Sequence, residues 1–160
     1  HGSIVSFVAG EMKGPGYDAH CARDLVADVE RFAIVYADEI LNPESVARCL
    51  EHEYSWLCFE VSEEKARESG VAVFGDSGRI KEVIEKPQQP PTNVVANGFM
   101  VANTDVFNHL KRHKNGEYYL SDMMHSFAQD NHVQAVVGPY QPSLTHPKDL
   151  ETLNRLYQIV

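Results

Sequence analysis

The triplet Glu85-Lys86-Pro87 sets a carboxylate beside an ammonium at the point where a proline, with no N–H to give a ladder, stops an alternating run. Neighbouring strand residues point to opposite faces, so these two charges can share one ligand only where the strand twists or ends. A solvated strand end has the same appearance. A second acidic pair, Asp38 and Glu39, closes the apolar run Phe32 to Ala37, and open α/β sheets hold their ligands beyond the carboxyl ends of strands. Asp38 there either offers a hard oxygen to Mg2+ or caps the turn before Asn42-Pro43. Gly14 and Gly16 belong to the glycine-rich stretch Gly10 to Gly16. The backbone N–H groups of such a loop can cradle a phosphate, or its glycines can simply turn the chain. His109 and His113 stand four apart on a predicted helix. Nothing near them in sequence supplies a third metal ligand, and exposure on a helix rich in Asn, Lys and Arg accounts for both.

The elements that must position these groups are read from periodicity. Ile4 to Ala9 reads as a buried strand, Tyr17 to Val29 as a helix, and Phe32 to Ala37 as a strand covered on both faces. Pro43 opens a helix to about Glu53 with Val46, Ala47 and Leu50 along one face. Ser55 to Val61 is a strand, and Ser62-Glu63-Glu64 opens a short helical segment. Val71 to Phe74, the turn residues Gly75-Asp76-Ser77-Gly78 and the alternating Ile80 to Ile84 predict a hairpin. Phe99 to Ala102 is a further strand, Asn103 an N-cap for Thr104 to Arg112, and Ser121 an N-cap for a helix burying Met124, Phe127 and Ala128. Val133 to Val137 is the last strand. A final helix begins near Pro147 with Leu150, Leu153, Leu156 and Tyr157 as its core stripe. The alternation predicts an α/β fold with a mainly parallel sheet between helices.

The chain of 160 residues suffices for one domain with a core and is too short for two. Its formal charge of −9 excludes a nucleic-acid backbone or an anionic membrane as partner, since both need clustered Lys and Arg. No apolar run approaches the ~20 residues that span a bilayer. Cys21, Cys49 and Cys58 are odd in number and lack metal-site spacing, so reduced thiols and a cytoplasmic location are expected. The start, His1-Gly2-Ser3, reads as a tag scar or a cut, and the chain as one partial domain over 1–160.

A β-run beginning Gly70-Val71, a turn of the form D-x-x-G-R-I at Asp76, Gly78, Arg79 and Ile80, then Glu85-Lys86-Pro87, Pro90, Thr92-Asn93 and Gly98 together resemble the sugar-1-phosphate nucleotidyltransferase family. From Gly14 to Asp38 the order of G-x-G, helix, apolar strand and Y-x-D is similar to N-acetylglucosamine-1-phosphate uridylyltransferases. Gly116 to Asp122 (GEYYLSD) resembles the G-E-Y-Y-[IL]-T-D segment of the same enzymes. The resemblance implies a Rossmann-like, three-layer, glycosyltransferase-A-like fold with a mixed, mainly parallel sheet. The family's first strand and its G-x-G-T-R-[LM] loop are absent from the sequence, so an N-terminally truncated domain is expected. Either the chain is a fragment, or a partner chain or a swapped strand fills the open sheet edge, and a homo-oligomer is an expectation too.

The resemblance also implies roles. The reaction is nucleotidyl transfer from a nucleoside triphosphate to a sugar 1-phosphate, releasing pyrophosphate. Lys86 and Asp38 are the catalytic pair, Asp38 holding Mg2+ and Lys86 neutralising the sugar phosphate. Gly70, Glu85, Asn97, Gly98, Glu117 and Tyr119 contact the sugar, and Gly14 and Gly16 the nucleotide. Three positions depart from the pattern. Pro15 stands where the family has threonine, Ala9 where it has a base-contacting glutamine, and Ser143 where many members carry a second metal-binding carboxylate. His146 and Asp149 are the nearest replacements for that carboxylate. A sugar-phosphate-binding or partner-binding module without chemistry is the alternative these departures favour.

Overall fold

A computed structural model describes residues 5–144, 146, 147 and 149–157. In chain order the elements are α1 (Pro15–Cys21), β1 (Phe32–Val35), α2 (Pro43–Leu50), β2 (Tyr54–Glu60), α3 (Glu63–Ala66), β3 (Gly70–Phe74), β4 (Ile80–Glu85), β5 (Val94–Ala102), α4 (Leu120–Asp130), β6 (Val133–Gly138) and α5 (Asp149–Tyr157), with 3₁₀ segments at Arg23–Val26 and Thr104–His109. Side-chain caps start two of the helices as their sequences require: Asn42 accepts from the Ser45 N–H and Ser62 from the Lys65 N–H.

The sheet runs β4-β3-β5-β2-β6, and β1 lies along the C-terminal half of β5. The fold is mixed α/β as expected, but the mainly parallel sheet is corrected. β5 runs antiparallel to β1, β2 and β3, β3 is antiparallel to β4, and among the described residues β2 with β6 is the one parallel pair. An apolar run reports that a strand is buried and says nothing of its direction. Here β5 crosses past the end of β3 to lie between β3 and β2, in the same sense as β4 and against every strand it pairs with.

Two apolar layers flank the sheet. Trp56, Met100, Met123, Met124 and Phe127 pack between it and α4, while Leu57, Phe59, Val71, Val101 and Cys49 pack between it and α2. The face of α2 that is buried carries Ser45 and Cys49, and Leu50 is exposed, so the expected apolar face is rotated. Ser121 falls inside α4, whose N-cap position is Tyr119 without a side-chain cap.

The N-terminal expectations change most. Residues 5–10 form no strand, and Phe7 is 94% exposed. A buried strand needs a ladder neighbour and cover on both faces, and among the described residues nothing supplies either. β1 is covered on one face only, with Val35 45% exposed. The predicted helix over Tyr17 to Val29 divides into α1 and the 3₁₀ segment, and the one after Asn103 is a 3₁₀ segment ending at His109. In the last helix Leu153 is buried and Leu150 exposed. The side chains of Leu156 and Tyr157 fall outside the described residues, as does Ile4.

Candidate functional site

The site is built on a bulge. Between the pairs Trp56↔Met100 and Cys58↔Ala96, one residue of β2 (Leu57) faces three of β5 (Asn97, Gly98, Phe99). Extra residues in a ladder leave backbone groups to be satisfied and re-aim side chains. Three neighbours take up those groups here. The Trp56 Nε1–H donates to the Asn97 carbonyl at 2.7 Å, the Tyr36 N–H to the Gly98 carbonyl at 2.9 Å, and the Gly98 N–H to Glu39 Oε1 at 3.4 Å. A Cβ on Gly98 would stand 2.8 Å from Tyr36 side-chain atoms, so glycine is what lets that residue lie against the bulge. The Asn97 Nδ2 donates to Glu39 Oε2 at 2.6 Å.

A cavity of about 250 Å³ opens beside the bulge, walled by Tyr36, Glu39, Trp56, Gly70, Val83, Glu85, Ala96, Asn97, Gly98, Met100, Tyr119 and Ser121. It brings together five of the expected sugar contacts: Gly70, Glu85, Asn97, Gly98 and Tyr119. Gly70 pairs with Glu85 across the β3–β4 ladder, and a Cβ on Gly70 would come within 3.3 Å of Glu85 Oε2. Glu117 is exposed and does not line the cavity. The Asn115 amide donates to the Tyr119 hydroxyl at 2.6 Å and lies 3.4 Å from Glu117, and the bond of Glu117 to Tyr119 raises the tyrosine's pKa.

Asp38 lines a neighbouring, larger slot of about 530 Å³ with Pro15, Ala19, Ile34, Val35 and Leu120, and Tyr36 belongs to both cavities. Burial pushes the Tyr36 hydroxyl up to about 12, and Asp38, Glu85 and Glu39 add to that shift in this order. Three carboxylates, Asp38 and Glu39 from just beyond Tyr36 and Glu85 from a distant strand, therefore act on one phenol. Burial likewise raises Glu39, against the bonds from Asn97 and Gly98 that lower it, with Asp38 raising it further.

Lys86 follows Glu85 directly, and its exposed side chain lines neither cavity. Its N–H donates to the Ser69 carbonyl at 3.0 Å, and at φ 45 it is the one non-glycine residue in the left-handed region among those described. Gly14 and Gly16 pack on backbone. Gly14 has φ 110, the Gly16 N–H donates to the Tyr118 carbonyl at 2.9 Å, and a Cβ on either would clash with Tyr118 or Tyr119 main-chain atoms. The N–H of Gly16 is thus spent inside the chain, and the glycine loop supports the 118–119 segment that forms one wall of the cavity. His109 bonds Ser126 and His113 bonds Asp122, so the two histidines face different partners.

For a divalent ion the donor set is small. The Leu144 N–H donates to the Asp38 carbonyl at 2.8 Å, which lays the loop carrying Ser143 against Asp38. Asp149 Oδ2 accepts from the His146 N–H at 2.7 Å. No cluster of three acidic, His or Cys side chains that could hold a metal is found among the described residues. Mg2+ is commonly bound by one or two carboxylates together with substrate phosphates, and one carboxylate at Asp38 fits an ion that arrives in that company.

Residues 19–140 match the family model described as Nucleotidyl transferase. The chain belongs to this family. Its relatives include a low-salt glycan biosynthesis nucleotidyltransferase of Haloferax volcanii, 28% identical over 96% of this chain and 45% of that protein. A UTP–glucose-1-phosphate uridylyltransferase of the same organism is 38% identical over 58% of this chain and 42% of its own length. The chain spans less than half of either relative. The fold is shared with a glucose-1-phosphate thymidylyltransferase structure from Bacillus anthracis, at TM-score 0.71 and 18% identity over 98% of this chain and 65% of that one. It is shared too with a UDP-glucose pyrophosphorylase complexed with UDP-glucose, at TM-score 0.66 and 24% identity over 80% and 55% of the two chains.

Sequence reading missed Glu39, Trp56 and Tyr36 as parts of the site. For Glu39 the signal was its place directly after Asp38. Trp56 and Tyr36 sit in apolar runs that read as core, and nothing local shows that their N–H groups go to the β5 bulge.

Proposed function

We propose that the protein containing this chain transfers a nucleotidyl group from a nucleoside triphosphate to a sugar 1-phosphate, yielding an NDP-sugar and pyrophosphate. The observation that carries this reading is the gathering of Gly70, Glu85, Asn97, Gly98 and Tyr119 on one cavity beside Asp38, in a member of the nucleotidyl transferase family. The relatives named for glycan biosynthesis and for glucose 1-phosphate support the substrate class.

Glu85 and Glu39 accept hydrogen bonds from sugar hydroxyls, and the neutral Tyr36 phenol donates one. Asp38 would hold Mg2+, and the ion would supply positive charge where negative charge develops at the attacked phosphoryl group. Lys86 neutralises the sugar phosphate from the strand end. Residues 1–160 form part of a single nucleotidyltransferase domain, and the free thiols Cys21, Cys49 and Cys58 suit a cytoplasmic setting. The open edge of β1 suits pairing with a further strand, from the same protein or from a second copy.

Pyrophosphate release from a nucleoside triphosphate, a sugar 1-phosphate and Mg2+ tests the reading on the whole protein. Lys86→Ala is expected to lower turnover by at least about a hundredfold, the usual scale for losing one preorganised charge, and unchanged kinetics would remove Lys86 from its role. Ser143 in place of a second carboxylate favours a binding module without chemistry as the second reading. Sugar-phosphate binding without pyrophosphate release would establish it.

A further inference from the structure

The cavity beside the β5 bulge asks for a particular kind of ligand atom. Asn97 is only 8% exposed, its Nδ2 is committed to the Glu39 carboxylate at 2.6 Å, and its Oδ1 is buried without a donor. That orientation is fixed by chemistry, because turning the amide would set its oxygen against a carboxylate oxygen. A buried acceptor without a donor is unfavourable, and Asn97 belongs to the cavity wall, so a ligand hydrogen is wanted at this spot.

Charge sharpens the demand. Two carboxylates, Glu39 and Glu85, line the cavity, and no Lys, Arg or His does. Among the described residues no ion pair engages Glu39, Glu85 or Asp38. The Trp56 indole N–H and the Asn97 amide are already used, on the Asn97 carbonyl and on Glu39, which leaves the hydroxyls of Tyr36, Tyr119 and Ser121 as the side-chain donors of the wall. The wall is therefore rich in acceptors and negative, and its complement is a group with several N–H donors and a positive charge.

We propose that the sugar 1-phosphate taken by this cavity carries a protonated primary amine, held between the Glu39 carboxylate and Asn97 Oδ1. An ammonium gives each of them a hydrogen and leaves one for a ring or wall oxygen. An N-acetyl group removes the charge, and a carboxylated sugar meets repulsion from Glu39 and Glu85.

This inference rests on the sugar 1-phosphate reading above, and titration calorimetry on the whole protein separates the two. Glucose 1-phosphate, its four mono-amino analogues (amine at C2, C3, C4 or C6) and the N-acetylated form of the tightest one are compared at neutral pH and low salt. One amino isomer is expected to bind about tenfold or more tightly than glucose 1-phosphate, the scale of a charge-assisted hydrogen bond. N-acetylation and Glu39→Gln should each erase that advantage, and added salt should shrink it. If glucose 1-phosphate binds and no amino isomer exceeds it, the amine proposal falls while the sugar-phosphate reading stands. If none of the six compounds binds, both fall. An amine preference that survives Glu39→Gln in a folded variant of at least wild-type thermal stability would also overturn the assignment.

Discussion

The cavity at the β5 bulge and the slot beside β1 share Tyr36 and are otherwise built on opposite principles. In the cavity, backbone groups freed by three residues facing one are bonded by Trp56, Tyr36 and Glu39. The slot is walled mostly by aliphatic side chains along the open edge of β1, with Val35 at its border. One region has its shape fixed by directional bonds among buried groups, the other by where a ladder happens to stop. Selectivity belongs to the first kind of surface, because unpaired acceptors and carboxylates discriminate among ligands. Room for a large substrate or a further strand belongs to the second.

The contrast is most severely tested at Trp56, which is 1% exposed and holds the bulge carbonyl. Trp56→Ala should cost about 3–5 kcal/mol in chemical denaturation, the usual range for removing a buried aromatic. A cost near that of a surface change would mean that the bulge does not depend on the indole. Gly98→Ala comes next. The new Cβ meets Tyr36 at 2.8 Å, and overpacking of this kind costs about 1–3 kcal/mol. An alanine variant with an unmoved Tm would show that the two residues do not touch.

Glu39→Gln has a smaller effect, and its pH dependence carries the information. Burial, and then Asp38, hold the folded-state pKa of Glu39 above its usual value. A carboxyl raised in this way penalises the fold once it is ionised, above the folded pKa, and the penalty fades as pH falls through that value. The glutamine variant keeps an acceptor for Asn97 and loses the charge. It should be the more stable form at neutral pH, with the gap closing on acidification toward the ordinary carboxylate range. A gap that widened on acidification would reverse the sign of the argument. The smallest effect is expected across the divide, where Val35→Thr on the open edge should stay within about 0.5 kcal/mol.

The hairpin of β3 and β4 was legible because turn residues, alternation and a terminating proline act within a few positions of one another. The motif residues around it have local structural duties as well. Arg79 donates to the Ala128 and Gln129 carbonyls at the end of α4, Thr92 to the Ala72 carbonyl, and Asn93 to Glu60. The helix starts at Pro43 and near Ser62 were legible for the same reason, and the structure adds the caps from Asn42 and Ser62. The strand expected at Ile4 to Ala9 failed because burial depends on neighbours, and apolarity alone supplies none. The direction of the sheet failed because hydrophobic period carries no sign.

By itself the sequence determined which stretches can pleat or coil, where they start and stop, and which polar residues sit at those ends, since these follow from contacts between residues close along the chain. Only the tertiary structure decided that β5 would bulge against β2, that Glu39 would bond Asn97, and that Glu85 would line one cavity with Tyr36. Those outcomes rest on contacts across tens of residues, where register and packing choose the partner and no local pattern encodes the choice.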